Sequence, residues 1–283
     1  MSDDFRGLAT GLFPAMVAAG ARTMDYFGTE AGATLKGDGS PVTLADQAAE
    51  VVLHEALRVV APNIPVVAEE AAAAGNIPDV GNKFFLVDPL DGTKEFIGGR
   101  NEFTVNVGLI DGGTPVFGMI YAPALGKMFV TLSADHVIVG EVRYDDRECT
   151  LEQFETKAAR ITTRTTPTTG GMTIVASRSH GSDALEAWLS DVAVAGRANM
   201  GSSLKLCLVA QGEADIYPRF GPTKEWDTAA GHAIVLAAGG LVTLEDCATP
   251  LTYGKVNEDY LNPYFIVWGR SDNAVRAQKI AAG

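Results

Sequence analysis

The chain has 283 residues, of which 47% are hydrophobic and 20% are charged. These proportions are those of an ordinary globular protein and exclude a disordered, collagen-like or coiled-coil chain. The formal net charge of −13, from 35 acidic and 22 basic residues, argues against a nucleic-acid polymer or an anionic lipid surface as partner, because both attract basic proteins.

The three cysteines, Cys149, Cys207 and Cys247, show no CxxC spacing, so neither a disulfide framework nor a zinc site is indicated. No apolar run reaches the roughly 18 residues that a membrane-spanning helix needs. The N-terminus is acidic and does not resemble a signal peptide. We therefore expect a cytoplasmic protein without a membrane span.

The first half of the chain predicts helices followed by strands. Apolar residues at helical spacing predict helices over 5–27 and 43–60. Short apolar runs predict strands over 64–68 and 83–87, the second ending at Asp88. An antiparallel meander is predicted for the β-rich segments that follow, which are 103–110, 115–121, 127–132 and 137–142.

The second half predicts an α/β arrangement. Residues 144–171 are polar and rich in threonine, and we place a domain boundary near their end, between an α+β domain (1–168) and an α/β domain (169–283). Beyond it, strands and helices alternate with short links, which is typical of α/β layers. The predicted strands are 173–176, 191–195, 214–218, 241–244 and 264–267. The predicted helices are 182–189, 202–211, 228–238 and 272–281.

Acidic residues stand at the ends of several predicted elements. Asp88 and Asp91 follow a strand, Glu69 follows another, and Asp46 and Asp227 stand at helix starts. Each alone has an ordinary explanation, such as a solvated turn, a helix N-cap or a favourable place on the helix dipole. Together they form the pattern that a two-metal phosphoryl site needs, since carboxylate oxygens bind hard divalent cations and two such cations can activate water against a phosphate ester.

Three distant segments also resemble one known family in order and spacing. They are Ala68-Glu69-Glu70, Asp88-Pro89-Leu90-Asp91-Gly92-Thr93 and Trp226-Asp227-Thr228-Ala229-Ala230-Gly231. They resemble the signature of the lithium-sensitive, magnesium-dependent phosphatases, which include inositol monophosphatase, fructose 1,6-bisphosphatase and the bisphosphate nucleotidases. The resemblance covers essentially the whole chain and implies a layered αβαβα sandwich. Ala68 departs from the more usual Ser or Gly but leaves the carboxylates in place.

The continuation Thr93-Lys94-Glu95-Phe96 narrows the resemblance. It is similar to the bacterial 3'(2'),5'-bisphosphate nucleotidases of the CysQ type, whereas inositol monophosphatases more often have Thr-Asn-Phe. Segments around Ser177 and His180, around Gly201 and Lys205, and before Arg219 also look like that subfamily. The resemblance implies hydrolysis of the 3'-phosphate of adenosine 3',5'-bisphosphate to AMP, with inhibition by Li⁺.

The resemblance also implies roles for individual residues. Two or three Mg²⁺ ions would be held by Glu69, Asp88, the Leu90 carbonyl, Asp91 and Asp227. Asp46 and Thr93 would handle the proton of the attacking water, and Glu70 would help to position that water. The implied substrate-binding residues are Gly92, Thr93, Ser177, His180, Gly201, Lys205 and Arg219.

Two alternatives remain open at this point. One is an inositol monophosphatase, which is a phosphomonoesterase of the same class. The other is a non-catalytic regulatory protein on the same scaffold, which is disfavoured because none of the implied metal ligands is missing. A dehydrogenase or a P-loop NTPase is disfavoured because neither GxGxxG after a strand nor GxxxxGK[ST] occurs. The sequence leaves open whether the chain is a monomer or a homodimer.

Overall fold

A computed structural model describes residues 4–29, 34–35, 41–165, 171–176, 183–270, 272 and 274–282. The α-helices are α1 (Arg6–Tyr26), α2 (Leu44–Val60), α3 (Glu69–Ala73), α4 (Thr93–Ile97), α5 (Leu151–Glu155), α6 (Asp183–Leu189), α7 (Leu204–Ala210), α8 (Glu225–Ala237) and α9 (Ala274–Ala282). The strands are β1 (Thr34–Leu35), β2 (Pro41–Val42), β3 (Val66–Ala68), β4 (Lys83–Asp91), β5 (Thr104–Asp111), β6 (Thr114–Ala122), β7 (Lys127–Ser133), β8 (His136–Glu141), β9 (Ala159–Arg160), β10 (Met172–Ala176), β11 (Val194–Asn199), β12 (Ile216–Arg219), β13 (Leu241–Leu244) and β14 (Phe265–Trp268).

The first sheet has the strand order β3-β4-β5-β6-β7-β8-β9 within the described residues. β3 is parallel to β4, and the later neighbours pair antiparallel, which confirms the predicted meander. The ladder between β4 and β5 is irregular between Asp88 and Asp91, where Pro89 has no N–H to donate. In spite of this irregularity, β4 continues past its predicted end and carries both Asp88 and Asp91.

The second sheet has the order β11-β10-β12-β14-β13. β10 is parallel to β11 and β12, and β14 is antiparallel to β12 and β13. This mixed sheet is built from strands of the second half of the chain, as the predicted strand–helix alternation indicated.

The helices separate and cover the two sheets. Phe85 and Val87 of β4 pack with α1 and α2 on one face of the first sheet. Phe84 and Leu86 pack on the other face with α7 and α8, which fill the space between the two sheets. α6 and α9 cover the outer face of the second sheet. The layers are therefore α, β, α, β, α, which confirms the predicted sandwich.

α8 lies directly against the first sheet at two strand residues that are glycines. A Cβ on Gly118 would lie 2.2 Å from the carbonyl oxygen of Ala230, and a Cβ on Gly108 would lie 2.8 Å from the amide nitrogen of Ala230. A side chain at either position would push α8 away from β5 and β6. The glycines thus fix the distance between the first sheet and Asp227, which lies in the first turn of α8.

The starts of α8 and β11 also differ from the prediction. α8 begins at Glu225, before the predicted start at Thr228, because the Asp227 side chain accepts a hydrogen bond from the backbone N–H of Lys224 (2.9 Å). Asp227 therefore lies inside the helix and is not its N-cap. β11 spans Val194–Asn199 instead of 191–195, because the residues directly after α6 form a turn.

No helix in the described ranges is long and apolar enough to cross a membrane. The predicted domain boundary at residue 168 falls between β9 of the first sheet and β10 of the second, among residues outside the described part. The division into two domains stays a prediction.

His232 of α8 is buried and belongs to a chain of hydrogen bonds. The Thr228 hydroxyl donates to the carbonyl oxygen of Glu225 (3.2 Å), so it accepts from the Tyr253 hydroxyl (3.1 Å). The Tyr253 oxygen then accepts from Nδ1 of His232 (3.1 Å). A neutral ring with its proton on Nδ1 satisfies this arrangement, and burial lowers the pKa of His232 to about 3.

Replacing His232 by Gln should reduce the acid sensitivity of the fold. The native ring stays neutral down to a pKa of about 3, whereas the ring in the unfolded chain takes up a proton near pH 6.5. The stability that it contributes is complete above that pH and is lost as the pH falls. Between pH 7.5 and 5.5 the wild type should lose about 1.4 kcal/mol more unfolding free energy than His232→Gln, as measured by chemical denaturation.

The control for this experiment is His54→Gln, because His54 is exposed on α2. That variant should follow the wild type. Equal pH dependence in the wild type and His232→Gln would contradict the buried neutral ring.

Candidate functional site

Three carboxylates converge from separate elements. Glu69 begins α3, Asp88 lies in β4, and Asp227 lies in the first turn of α8. One carboxylate oxygen from each lies within 4.8 Å of the other two. Asp88 is buried, and Glu69 and Asp227 are half-buried. Oxygen donors in this arrangement suit a hard divalent cation, so the three residues could hold a metal ion.

The cluster concentrates negative charge in a partly buried place. Burial, followed by the negative charges of Asp91 and Glu69, raises the pKa of Asp227 well above its usual range. A bound cation would offset this repulsion. The electrostatics of the cluster therefore agree with its donor chemistry.

The turn after Asp88 is held by its own polar groups. The Leu90 N–H donates to Oδ1 of Asp88 (3.0 Å), and the Thr93 hydroxyl donates to the Leu90 carbonyl oxygen (3.3 Å). Gly92 has a φ of +93°, and a Cβ there would lie 3.1 Å from the carbonyl oxygen of Glu102. Glycine is required at this position, and the turn brings the Leu90 carbonyl and the Thr93 hydroxyl together.

The start of α2 packs against this turn. Asp46 is buried, and its Oδ2 accepts hydrogen bonds from the backbone N–H (2.8 Å) and the hydroxyl (2.6 Å) of Thr43. The neighbouring Ala45 packs in one apolar cluster with Leu90 and Phe96. Asp46 is thus a fixed, buried carboxylate near the predicted site and not a solvated acid of an exposed first turn.

Glu50 holds α3 in place, although the sequence analysis did not identify it. Its carboxylate accepts hydrogen bonds from the backbone N–H groups of Glu70 (2.8 Å) and Ala71 (2.9 Å). Because these bonds lie at the start of α3, they fix the direction in which the side chains of Glu69 and Glu70 project from the helix. The spacing of four residues between Asp46 and Glu50 puts both on one face of α2, which was the available signal.

Asp91 lies beside the three-residue cluster and outside it. Its Oδ2 accepts hydrogen bonds from the Ser202 hydroxyl (2.7 Å) and the Ser203 N–H (2.5 Å). The Gly201 N–H donates to the Glu102 carboxylate (2.8 Å). The residues before α7 therefore pack on the turn. Sequence analysis missed Ser202, Ser203 and Glu102, although two serines at the start of the helix predicted over 202–211 were a signal for a capping role.

Two cationic side chains lie next to the acidic residues. The Lys205 ammonium is 5.9 Å from the centre of the Tyr217 ring, and burial lowers the pKa of Lys205 while the negative charge of Asp91 opposes this shift. Arg219 is buried; its Nη2 donates to the Pro222 carbonyl oxygen (2.8 Å), and its Nε has no partner among the described residues. A buried cation with an unused donor, such as Arg219, suits an anionic ligand.

Two adjoining clefts connect these groups. The first, of about 390 Å³, is lined by residues that include Glu69, Asp88, Leu90, Thr93 and Asp227. The second, of about 130 Å³, is lined by residues that include Gly201, Ser202, Ser203, Lys205 and Asp227. Asp91, Gly92, Lys94, Glu95 and Arg219 line both clefts. The predicted residues Ser177 and His180 lie outside the described residues, directly after β10 ends at Ala176.

Comparison with known proteins identifies the family. The model of the inositol monophosphatase family matches residues 6–278. The chain is 42% identical over 249 residues to the 3'(2'),5'-bisphosphate nucleotidase CysQ of Salmonella typhimurium, covering 88% of this chain and 90% of that protein. Its fold is similar to the crystal structure of CysQ from Bacteroides thetaiotaomicron, with a TM-score of 0.74 and 36% identity over 95% of this chain and 99% of that one. An inositol monophosphatase from Anabaena gives a TM-score of 0.67 at 25% identity, covering 98% and 95% of the two chains.

Asp227→Asn should abolish stabilisation by Mg²⁺ without harming the metal-free fold. Asparagine keeps an acceptor for the Lys224 N–H but removes one charge from a repelling cluster. Thermal unfolding with EDTA and with Mg²⁺ measures both effects. At a Mg²⁺ concentration 100 times its Kd, the wild type should gain about 2.7 kcal/mol, and the variant should gain much less.

Glu141→Gln is the matched control, because Glu141 is an exposed acid at the end of β8. It should keep the full response to Mg²⁺. An Mg²⁺-induced shift in Asp227→Asn as large as in the wild type would refute a metal role for Asp227.

Proposed function

We propose, since the chain belongs to the inositol monophosphatase family, that it is a metal-dependent phosphomonoesterase that removes the 3'-phosphate from adenosine 3',5'-bisphosphate and yields AMP and phosphate. The observation that carries this proposal is that the cleft of the clustered carboxylates adjoins a second cleft with additional positive charge. Glu69, Asp88 and Asp227 line the first cleft, the half-buried Lys205 lines the second, and Arg219 lines both. A substrate with two phosphates matches both at once.

The donor set supports Mg²⁺ as the metal. The proposed ligands Glu69, Asp88, Asp91 and Asp227 and the Leu90 carbonyl offer only oxygen, without the nitrogen or sulfur donors that favour zinc. We propose that these residues hold two or three ions. When bound, divalent cations supply Lewis acidity toward water and phosphate oxygens.

The residues of the chain position the water and the phosphate. The Thr93 hydroxyl donates to the Leu90 carbonyl, so its oxygen lone pairs remain to accept a hydrogen bond from water and orient it. In the proposed reaction the water oxygen attacks phosphorus, the bond from phosphorus to the 3'-oxygen breaks, and that oxygen takes a proton from solvent water as it leaves. Asp46, held in place by Thr43, would accept the proton that the attacking water loses and then release it to solvent, and Glu70 would help to position the attacking water.

The second cleft supports recognition of the other phosphate. Lys205 and Arg219 supply positive charge there, and Arg219 has a buried, unpaired Nε within the described part of the chain. The backbone of Gly92 and Thr93 would hold the phosphate that is cleaved. Contacts from Ser177, His180 and Gly201 to the nucleotide remain proposals, as do the cytoplasmic location and the monomeric or homodimeric state.

A substrate panel with Mg²⁺ tests the function. Phosphate release from adenosine 3',5'-bisphosphate should exceed release from inositol 1-phosphate at equal concentrations. Thr93→Ala should lower kcat by about 10²- to 10⁴-fold with the fold intact, because it removes the group that orients water. A strong preference for the inositol ester would identify an inositol monophosphatase instead, and no phosphate release from any ester would support a non-catalytic role.

Lys205→Met should remove the preference for a second phosphate. Methionine fills the buried space but has no charge, so KM for adenosine 3',5'-bisphosphate should rise by about 10- to 100-fold, the value of a charge-assisted hydrogen bond. The KM for adenosine 3'-phosphate, which lacks the 5'-phosphate, should change little. Lys157→Met, at an exposed position, is the control, and an unchanged ratio of the two KM values in Lys205→Met would contradict this assignment.

A further inference from the structure

Ser202 has a strained backbone at the point where α7 meets the turn of Asp91. Its φ is +56°, in the left-handed region that disfavours residues with a side chain. Such strain persists only where surrounding contacts hold it, and it is common at functional positions. The contacts of Ser202 therefore indicate what the strain achieves.

A line of close polar contacts leads to Asp91. It alternates between side chains of β5 and the two serines directly before α7. Successive atoms are separated by 2.9 Å (Asn106 Oδ1 to Ser203 Oγ), 2.7 Å (Ser203 Oγ to Thr104 Oγ1), 2.6 Å (Thr104 Oγ1 to Ser202 Oγ) and 2.7 Å (Ser202 Oγ to Asp91 Oδ2). The side chains of Thr104, Asn106, Ser202 and Ser203 are buried. We call this line the hydroxyl relay.

The relay has more contacts than hydroxyl protons. Each of the four contacts needs one proton, while Thr104, Ser202 and Ser203 supply one each and a carboxylate supplies none. The amide of Asn106 can supply the fourth if its nitrogen faces Ser203. With its oxygen facing Ser203, that buried nitrogen has no partner among the described residues. The proton count therefore favours the orientation in which the nitrogen donates.

With this orientation all donors of the relay point in one direction. The Asn106 nitrogen donates to Ser203, whose hydroxyl donates to Thr104. The Thr104 hydroxyl donates to Ser202, and the Ser202 hydroxyl donates to Oδ2 of Asp91. Hydrogen bonds arranged head to tail strengthen one another, so the end of the relay holds the carboxylate firmly.

From this geometry we propose that the hydroxyl relay is a positioning device for Asp91, and that Thr104 and Ser202 are positioning residues for metal binding. The inference rests on the proposed function, in which Asp91 is a metal ligand. The relay and the Ser203 N–H engage Oδ2, so Oδ1 is the oxygen left to face a cation. Partners that orient a ligand in this way commonly change metal affinity by about 10- to 100-fold when removed.

Thr104→Val tests the proposal because it removes the central hydroxyl at nearly constant shape. Although Thr104 is the cross-strand neighbour of Asp91, the hydrogen bonds that Asp91 Oδ2 accepts come from Ser202 and Ser203 and are not removed. Isothermal titration of the metal-stripped full chain with Mg²⁺ should show a Kd at least about 10-fold higher than in the wild type. The Mg²⁺ concentration for half-maximal activity should rise by the same factor, while kcat at saturating Mg²⁺ stays within about 3-fold. Thr104→Ser keeps a hydroxyl at this position and should therefore keep the Kd of the wild type.

Ser202→Gly is the second variant, because glycine accepts the positive φ and removes the last donor of the relay. Its Kd should rise as in Thr104→Val. Thr131→Val is the matched control, since the buried Thr131 hydroxyl has no partner among the described residues. Its Kd should equal that of the wild type.

The outcomes separate the two proposals. A wild-type chain that binds no Mg²⁺ overturns the proposed function and this inference with it. If the wild-type chain binds Mg²⁺ and the Kd is unchanged in both Thr104→Val and Ser202→Gly, the inference alone is overturned. In that case a lower unfolding free energy of both variants in EDTA would identify the relay as a structural cap of α7.

Discussion

The carboxylates of Glu69, Asp88 and Asp227 repel one another, and the fold must hold them together against that repulsion. Like charges in a partly buried site separate or take up protons unless something fixes them. In this chain each carboxylate comes from a different element, and contacts outside the cluster fix each element. Glu50 binds the start of α3, and the Asp227 side chain closes the first turn of its own helix onto Lys224. In the proposed function, the cluster is thereby preformed for a cation.

α8 is the element on which this arrangement most depends. It is shared by both sheets, and its contact with the first sheet tolerates no side chain at Gly118, where a Cβ would meet the carbonyl of Ala230. The buried carboxylate of Glu225 accepts hydrogen bonds from the N–H groups of Gly254 and Lys255 and pairs with the Lys255 ammonium (2.6 Å). A buried charge with this many partners resists displacement. The helix therefore cannot slide, and Asp227 keeps its place relative to Asp88.

The carboxylates could be found from the sequence because each stands at the end of an element with a clear hydrophobic pattern, and because three segments together resemble one family. The order of layers was implied by that resemblance, because the hydrophobic patterns alone predicted only helices, then a meander, then alternating strands and helices. The start of α8 was placed too late because its cap depends on a side-chain contact that periodicity does not register. α3, with five residues, is too short to show a helical period. The bond between Ser202 and Asp91 joins residues 111 positions apart, and no local pattern encodes such a contact.

The net charge of −13 describes the surface better than it describes the site. Beside the acidic cluster, Arg219 is buried and Lys205 is half-buried, which makes an unpaired positive charge costly at either position. In the proposed function, the second phosphate of the substrate relieves that cost, while an ester with a single phosphate leaves the cations unpaired. Discrimination between the two then comes from the cost of leaving a buried cation alone, in addition to any hydrogen bond that the second phosphate accepts. In the proposed function, the positive charge that selects the small polyanion is local to this cleft, whereas the net charge of −13 disfavours nucleic-acid polymers as partners.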